Sequence, residues 1–231
     1  MERQHSLDGI AVLTILPPEA RRACAARCSW REFKPHQEIV GHQDASHNVF
    51  FLTRGKASPT VYSGGGKQVK FRDINEGDMF GFWAAIDSEL RSASVEAITP
   101  CTVASMSQDM FWELIRSDRA VIENVLKLLV GQVRHLSERL VVTITQSVRK
   151  RIVYEILLMA DKVVTEEGRA VIYPQPTGAD LAARVGTARE TVVRELGDLE
   201  KDGLIERKDG RVLVIPDIDK LRLVVKEPSD E

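Results

Sequence analysis

Three side chains in the last third of the chain, Arg189, Glu190 and Arg194, have the types and spacing needed to read the edge of a base pair. A guanidinium donates two hydrogen bonds to guanine O6 and N7, and a carboxylate accepts from cytosine N4. On a helix, Arg194 follows about one turn after Arg189 and Glu190, so the three share a side while Val192, Val193 and Leu196 are expected to be buried. Thr177 and Lys208 complete the expected DNA contacts, and Arg184 and Lys208 are expected to hold phosphates. Charge offers no help. From Thr177 to Arg211, seven basic residues stand against eight acidic ones, and the whole chain carries −2. Recognition must therefore rest on local placement rather than bulk attraction.

The surrounding residues supply the elements that such a reading needs. Thr177-Gly-Ala-Asp180 opens one helix with a capping box, and Thr187-Ala-Arg-Glu190 is expected to open a second in the same way. Gly186 lies between them, where a tight turn wants a left-handed residue. Upstream, 148–164 reads as an amphipathic helix and Ala170–Tyr173 as a short strand stopped by Pro174 and Pro176. Downstream, Lys208-Asp-Gly210 joins two short strands as a hairpin. Helix, turn, helix, hairpin is the order of a winged helix-turn-helix.

Between Ile122 and Leu140, apolar residues fall at Ile122, Leu126, Leu129, Val133, Leu136 and Leu140, the spacing of a heptad seam. Such a helix can pack on its own domain or on its copy. Its position between two domains favours the copy, and hence a symmetric homodimer.

From Trp30 to about Pro100 the pattern is short strands punctuated by glycine: Val49–Leu52, Ser58–Tyr62, Gln68–Ile74, Ser92–Ile98 and Cys101–Met106, with turns at Arg54-Gly55, Ser63–Gly66 and Glu76–Asp78. That density of strands predicts a sandwich or small barrel. No apolar run reaches the roughly 20 residues that span a bilayer, and 1–9 lacks a signal core. Three cysteines, Cys24, Cys28 and Cys101, form no disulfide pattern. A cytoplasmic protein without a membrane partner is expected.

The segment Asp180-Leu-Ala-Ala-Arg-Val-Gly-Thr-Ala-Arg-Glu-Thr-Val-Val-Arg194, with Leu199-Glu-Lys-Asp-Gly-Leu-Ile205, resembles the helix-turn-helix of the Crp/Fnr family of transcription regulators. The Arg-Glu-x-x-x-Arg pattern is most similar to the cyclic AMP receptor protein branch. Val49–Gly55, Glu76–Gly81 and Arg91–Val95 resemble the family's β-roll, so the likeness runs over roughly residues 30–216. It implies an α+β architecture: a jelly-roll-like sensor with N-terminal helices over 1–117, a dimerisation helix over 118–146 and a winged helix-turn-helix over 147–231. It also implies double-stranded DNA as partner, a palindromic TGTGA-like operator, contact with RNA polymerase near Thr165–Arg169, and no enzymatic activity.

The same resemblance implies a cyclic nucleotide effector, cAMP or cGMP, at Phe71, Gly81, Phe82, Trp83, Arg91, Ser92, Leu136 and Ser137. Arg91 and Ser92 would take the cyclic phosphate, a pairing that suits a guanidinium. Two positions depart from the family pattern. Phe82 stands where a glutamate accepts the ribose hydroxyl, and it accepts no hydrogen bond. Leu136 replaces one of the polar pair facing the purine, leaving Ser137. With Trp83 next to it, Phe82 is expected to make the pocket floor aromatic. A constitutive regulator, or one tuned to another small effector, is the alternative. No metal is expected. Cys24 and Cys28 on a helix over 20–28, with Cys101, are one short of an iron–sulfur set, and His42 and His47 read as loop residues.

Overall fold

The computed structural model describes residues 5–161 and 163–226, and the chain divides into two compact units between Arg134 and His135. In the first unit a short 3₁₀ turn, Ala11–Leu13, and helix α1 (Pro18–Arg27) precede the strands. These are β1 (Ser29–Phe33), β2 (Glu38–Val40), β3 (Val49–Arg54), β4 (Lys56–Tyr62), β5 (Gln68–Lys70), β6 (Ile74–Asn75) and β7 (Met79–Phe80). Helix α2 (Phe82–Asp87) follows, then β8 (Ser94–Ala97), β9 (Cys101–Met106), α3 (Gln108–Ser117) and the first part of α4 (Arg119–Thr145). One antiparallel sheet has the order β1-β9-β3-β7; the other has β2-β8-β4-β5, with β6 also on β4.

Strand alternation sorts the side chains into two cores. Val49 and Phe51 on β3, Met79 on β7, and Ala104 and Met106 on β9 face a helix-covered core shared with Met110, Phe111 and Leu114 of α3. Their neighbours Phe50, Leu52, Phe80, Cys101 and Val103 face the space between the sheets. The turn at Gly55 has φ +95°, and a Cβ there would come within 2.3 Å of the Pro100 carbonyl oxygen, so glycine is required. The strand expected over 68–74 is two strands. Pro59 on β4 offers a carbonyl to the Phe71 N–H (3.1 Å) but has no N–H to return, so the ladder stops there.

Helix α4 carries two stripes. Val121 and Val125 are buried in the helix-covered core, and Leu128 and Leu129 pack against it. Ile122, Leu126, Val130, Val133, Leu136, Leu140, Val141 and Ile144 are exposed. The helix thus packs on its own domain near its start and still presents an apolar face.

The second unit contains the end of α4, then α5 (Val148–Ala160), β10 (Ala170–Ile172), α6 (Gly178–Val185), α7 (Arg189–Lys201), β11 (Glu206–Lys208), β12 (Val212–Ile215) and α8 (Ile218–Lys226). The strands order as β10-β12-β11, and Asp209 and Gly210 turn the wing with φ +53° and +62°. Ile152, Ile156, Leu181, Val192, Leu196, Leu199, Leu213 and Leu221 form the core. Helix α5 ends at Ala160 rather than at 164, because Val164 pairs instead with Ala170.

The expected capping box on α6 is formed in both directions between Thr177 and Asp180. The one expected on α7 is not. Ala188 is its N-cap, in extended conformation and without a side-chain bond, so Thr187 sits one residue too early to cap. Replacing Thr177 by alanine should therefore lower stability by about 1 kcal/mol in chemical denaturation, whereas Thr187→Ala should change little.

Candidate effector cradle and nucleic-acid interface

Arg91 lies in the loop between α2 and β8 and is only 3 % exposed. Every nitrogen of its guanidinium donates to the protein. Nε and Nη2 meet Ser46 Oγ at 3.2 and 3.1 Å, Nη2 also meets the Asn48 carbonyl at 2.8 Å, and Nη1 meets the Gly81 carbonyl at 2.6 Å. The Phe50 ring lies against it, 5.2 Å from the guanidinium carbon to the ring centroid. Among the described residues it forms no ion pair. Burial lowers its pKa, and the charge of the Asp44 carboxylate opposes that shift. The result is a buried cation held by neutral acceptors, a setting in which an anion gains much. Gly81 is required beside it: its φ is +73°, and a Cβ would meet Arg91 Nη1 at 2.8 Å and Phe50 Cδ2 at 2.9 Å. Ser46, Asn48 and Phe50 are cradle residues that sequence reasoning missed. Phe50 had a signal, since alternation along Val49–Leu52 puts it on the face opposite Phe51.

The other residues expected around an effector have differing settings. Ser92 is exposed beside Arg91, and Phe71 is half-buried after β5. Phe82 is 1 % exposed and belongs to the helix-covered core with Met79 and Ala85. The expectation of a stacking pocket floor is corrected there: the first residue of α2 drives its ring into the core, where a phenyl is stable and a glutamate would not be. Trp83 is exposed instead, and its indole N–H donates to Gln132 Oε1 on α4 at 3.1 Å. Leu136 and Ser137 lie on the part of α4 that belongs to the second unit, Leu136 exposed.

In that second unit, α7 has a buried face of Val192, Leu196 and Leu199, and Arg189, Glu190 and Arg194 are exposed on the other side. Val193 is corrected from core to surface. Thr177 is exposed at the start of α6, and Lys208 on the wing pairs with Glu206 at 3.1 Å. Arg184 is also corrected: only 8 % exposed, it is no phosphate contact. It faces Glu155 of α5 at 3.9 Å, while Arg139 of α4 contacts the same carboxylate at 3.1 Å and donates to the Arg184 carbonyl at 2.6 Å. Two arginines converging on one buried carboxylate tie α4, α5 and α6 together.

All three cysteines are free. Burial, with Cys24 adding its charge, pushes the Cys28 thiol up to about 11, which keeps it protonated and a poor ligand. Cys101 donates to the Lys56 and Thr99 carbonyls. Among the described residues no three metal-ligating side chains gather, and no helix is long and apolar enough to cross a membrane.

A β-sandwich sensor joined to a winged helix-turn-helix defines a ligand-responsive, DNA-binding transcription regulator. Residues 30–118 match the cyclic nucleotide-binding domain and residues 150–224 the Crp-like helix-turn-helix domain. The chain belongs to the Crp/Fnr family. It is 25 % identical over 205 residues to the CRP-like cAMP-activated global transcriptional regulator of Mycobacterium tuberculosis, covering 88 % of this chain and 91 % of that one. FixK2 from Bradyrhizobium japonicum shares its fold with a TM-score of 0.76 at 18 % identity, over 87 % of this chain and 99 % of that one. A CRP/FNR family regulator from Thermus thermophilus gives 0.69 at 21 % identity, over 86 % and 99 %.

Proposed function

We propose that this regulator acts as a homodimer paired through α4, binds cAMP or cGMP at Arg91 and Ser92, and reads a palindromic TGTGA-like operator with Arg189, Glu190 and Arg194. The observation that carries the DNA half is the common exposure of those three side chains on a helix whose opposite face is core. Thr177 and Lys208 then supply backbone contacts. The exposed apolar stripe of α4 supports pairing with a second copy, which removes that stripe from water. Dimeric readers must hold their recognition helices about 34 Å apart to reach successive major grooves. RNA polymerase would meet the complex near Thr165–Arg169.

The buried Arg91 cation supports an anionic effector, and the cAMP-activated relative from M. tuberculosis favours a cyclic nucleotide. A cyclic phosphate reaching Arg91 must take over hydrogen bonds now made to Gly81, Asn48 and Ser46. Gly81 caps α2, and the first turn of α2 holds α4 through Trp83 and Gln132, so that exchange biases the dimer helix. A second reading has its own observation. With Phe82 in the core there is no acceptor for a ribose hydroxyl at that position, which favours a constitutive regulator or another small effector.

Titration of cAMP and cGMP against binding to a labelled TGTGA-type palindrome separates the two. Nucleotide-dependent binding that disappears in Arg91→Ala is expected. Tight binding indifferent to both nucleotides would leave the regulator and remove the cyclic nucleotide from the account.

A further inference from the structure

Val193 is the one large apolar residue exposed on α7, at 49 % exposure, and the charged readers surround it. At about 100° per residue, it projects about 40° from Arg189 and about 60° from Glu190, inside the arc those two define with Arg194. An isoleucine, leucine or valine exposed singly needs no explanation elsewhere on a surface. Here it occupies the centre of a face whose other members are hydrogen-bonding groups suited to base edges.

Two neighbours fix and uncover it. Gly178, the first residue of α6, lets that helix come so close that a Cβ there would meet Val193 Cγ2 at 3.3 Å and Arg189 Cγ at 3.6 Å. One methyl of Val193 is thereby backed by α6, and a β-branched side chain in a helix has essentially one rotamer. Gly197, one turn further along α7, adds no side chain next to Val193, and nothing lies within 4 Å of where its Cβ would stand. Val193 thus has little rotamer freedom and is about half exposed.

Only one feature in the major groove is apolar, the 5-methyl group of thymine. We infer that Val193 is a specificity-determining residue that packs against a thymine methyl in each half-site, between the base pairs met by Arg189 and Glu190. The inference rests on the DNA reading above and adds a base preference to it.

The test uses the full-length protein and a duplex selected by the wild type from a randomised palindromic library, with any nucleotide found necessary present. Each thymine in one half-site is replaced singly by deoxyuridine, which removes only the methyl group. One position is expected to weaken wild-type binding about three- to fivefold, the worth of one buried methyl. Val193→Ala, which removes the contact from both half-sites, should bind the parent duplex about ten- to twenty-five-fold more weakly and show no uracil effect at that position. Alanine is the better helix former, so misfolding would not produce that pattern. Wild-type indifference to uracil everywhere, or an unchanged uracil profile in Val193→Ala, would overturn the thymine contact while leaving DNA recognition intact. Failure of the wild type to select any duplex would overturn the DNA reading itself, and the inference with it.

Discussion

Arg194→Ala is expected to lower affinity for the operator by about thirtyfold to about twenty-five-thousandfold while leaving binding to unrelated DNA nearly unchanged. A bidentate arginine–guanine contact is worth about 1–3 kcal/mol of discrimination, and a symmetric dimer loses it twice. Arg194 is suited to that role because little in the folded chain competes for it. Its side chain is 67 % exposed, and its contact with Glu195 is long, at 3.8 Å. That distance in water represents a weak surface pair. The measurement is a salt titration of operator and non-operator duplexes for both proteins. A loss equal on both duplexes, with the salt slope reduced by about one per site, would assign Arg194 to a phosphate instead.

Glu155→Ala should cost about 3–5 kcal/mol of folding stability, because it leaves Arg139 and Arg184 buried without the carboxylate they share. Glu155 itself is only 5 % exposed. Thermal or urea unfolding of the variant reads the loss directly. Glu155→Gln, which keeps an acceptor oxygen, should lose less. A loss below about 1 kcal/mol for the alanine variant would mean that water already reaches the cluster. The consequence extends beyond stability, since the cluster joins the end of α4 to the first helix of the helix-turn-helix. Milder changes there should alter how effector binding is passed to DNA affinity.

The recognition helix was legible in the sequence because its information is local. Helical period, the Thr177–Asp180 capping box and the left-handed Gly186 are set within a few residues of one another, and the structure has all three. The wing was legible for the same reason, through Asp209-Gly210. Helices α2 and α3 were not. Both are held by packing onto the sheet beneath them, and α2 in particular has no side-chain cap to announce it.

Charged residues show the limit most clearly. Arg184 and Arg194 are the same residue type on adjacent helices, yet one is buried beside Glu155 and the other faces solvent. Periodicity assigns a side to each, but only the packing of α4 and α5 against α6 makes the side of Arg184 an interior. Val193 and Phe82 err in complementary directions. Val193, expected in the core, lies outside because Val192, Leu196 and Leu199 already fill that face of α7. Phe82, expected at a ligand, lies inside because α2 turns it onto β3 and β7. The sequence by itself determined the element types, the two-domain order and the reading helix, all of which follow from local spacing and turn chemistry. The tertiary structure alone decided which cations are enclosed, what Arg91 holds, and which apolar groups remain free to meet a partner. Burial depends on contacts between residues far apart in the chain, and no local pattern encodes them.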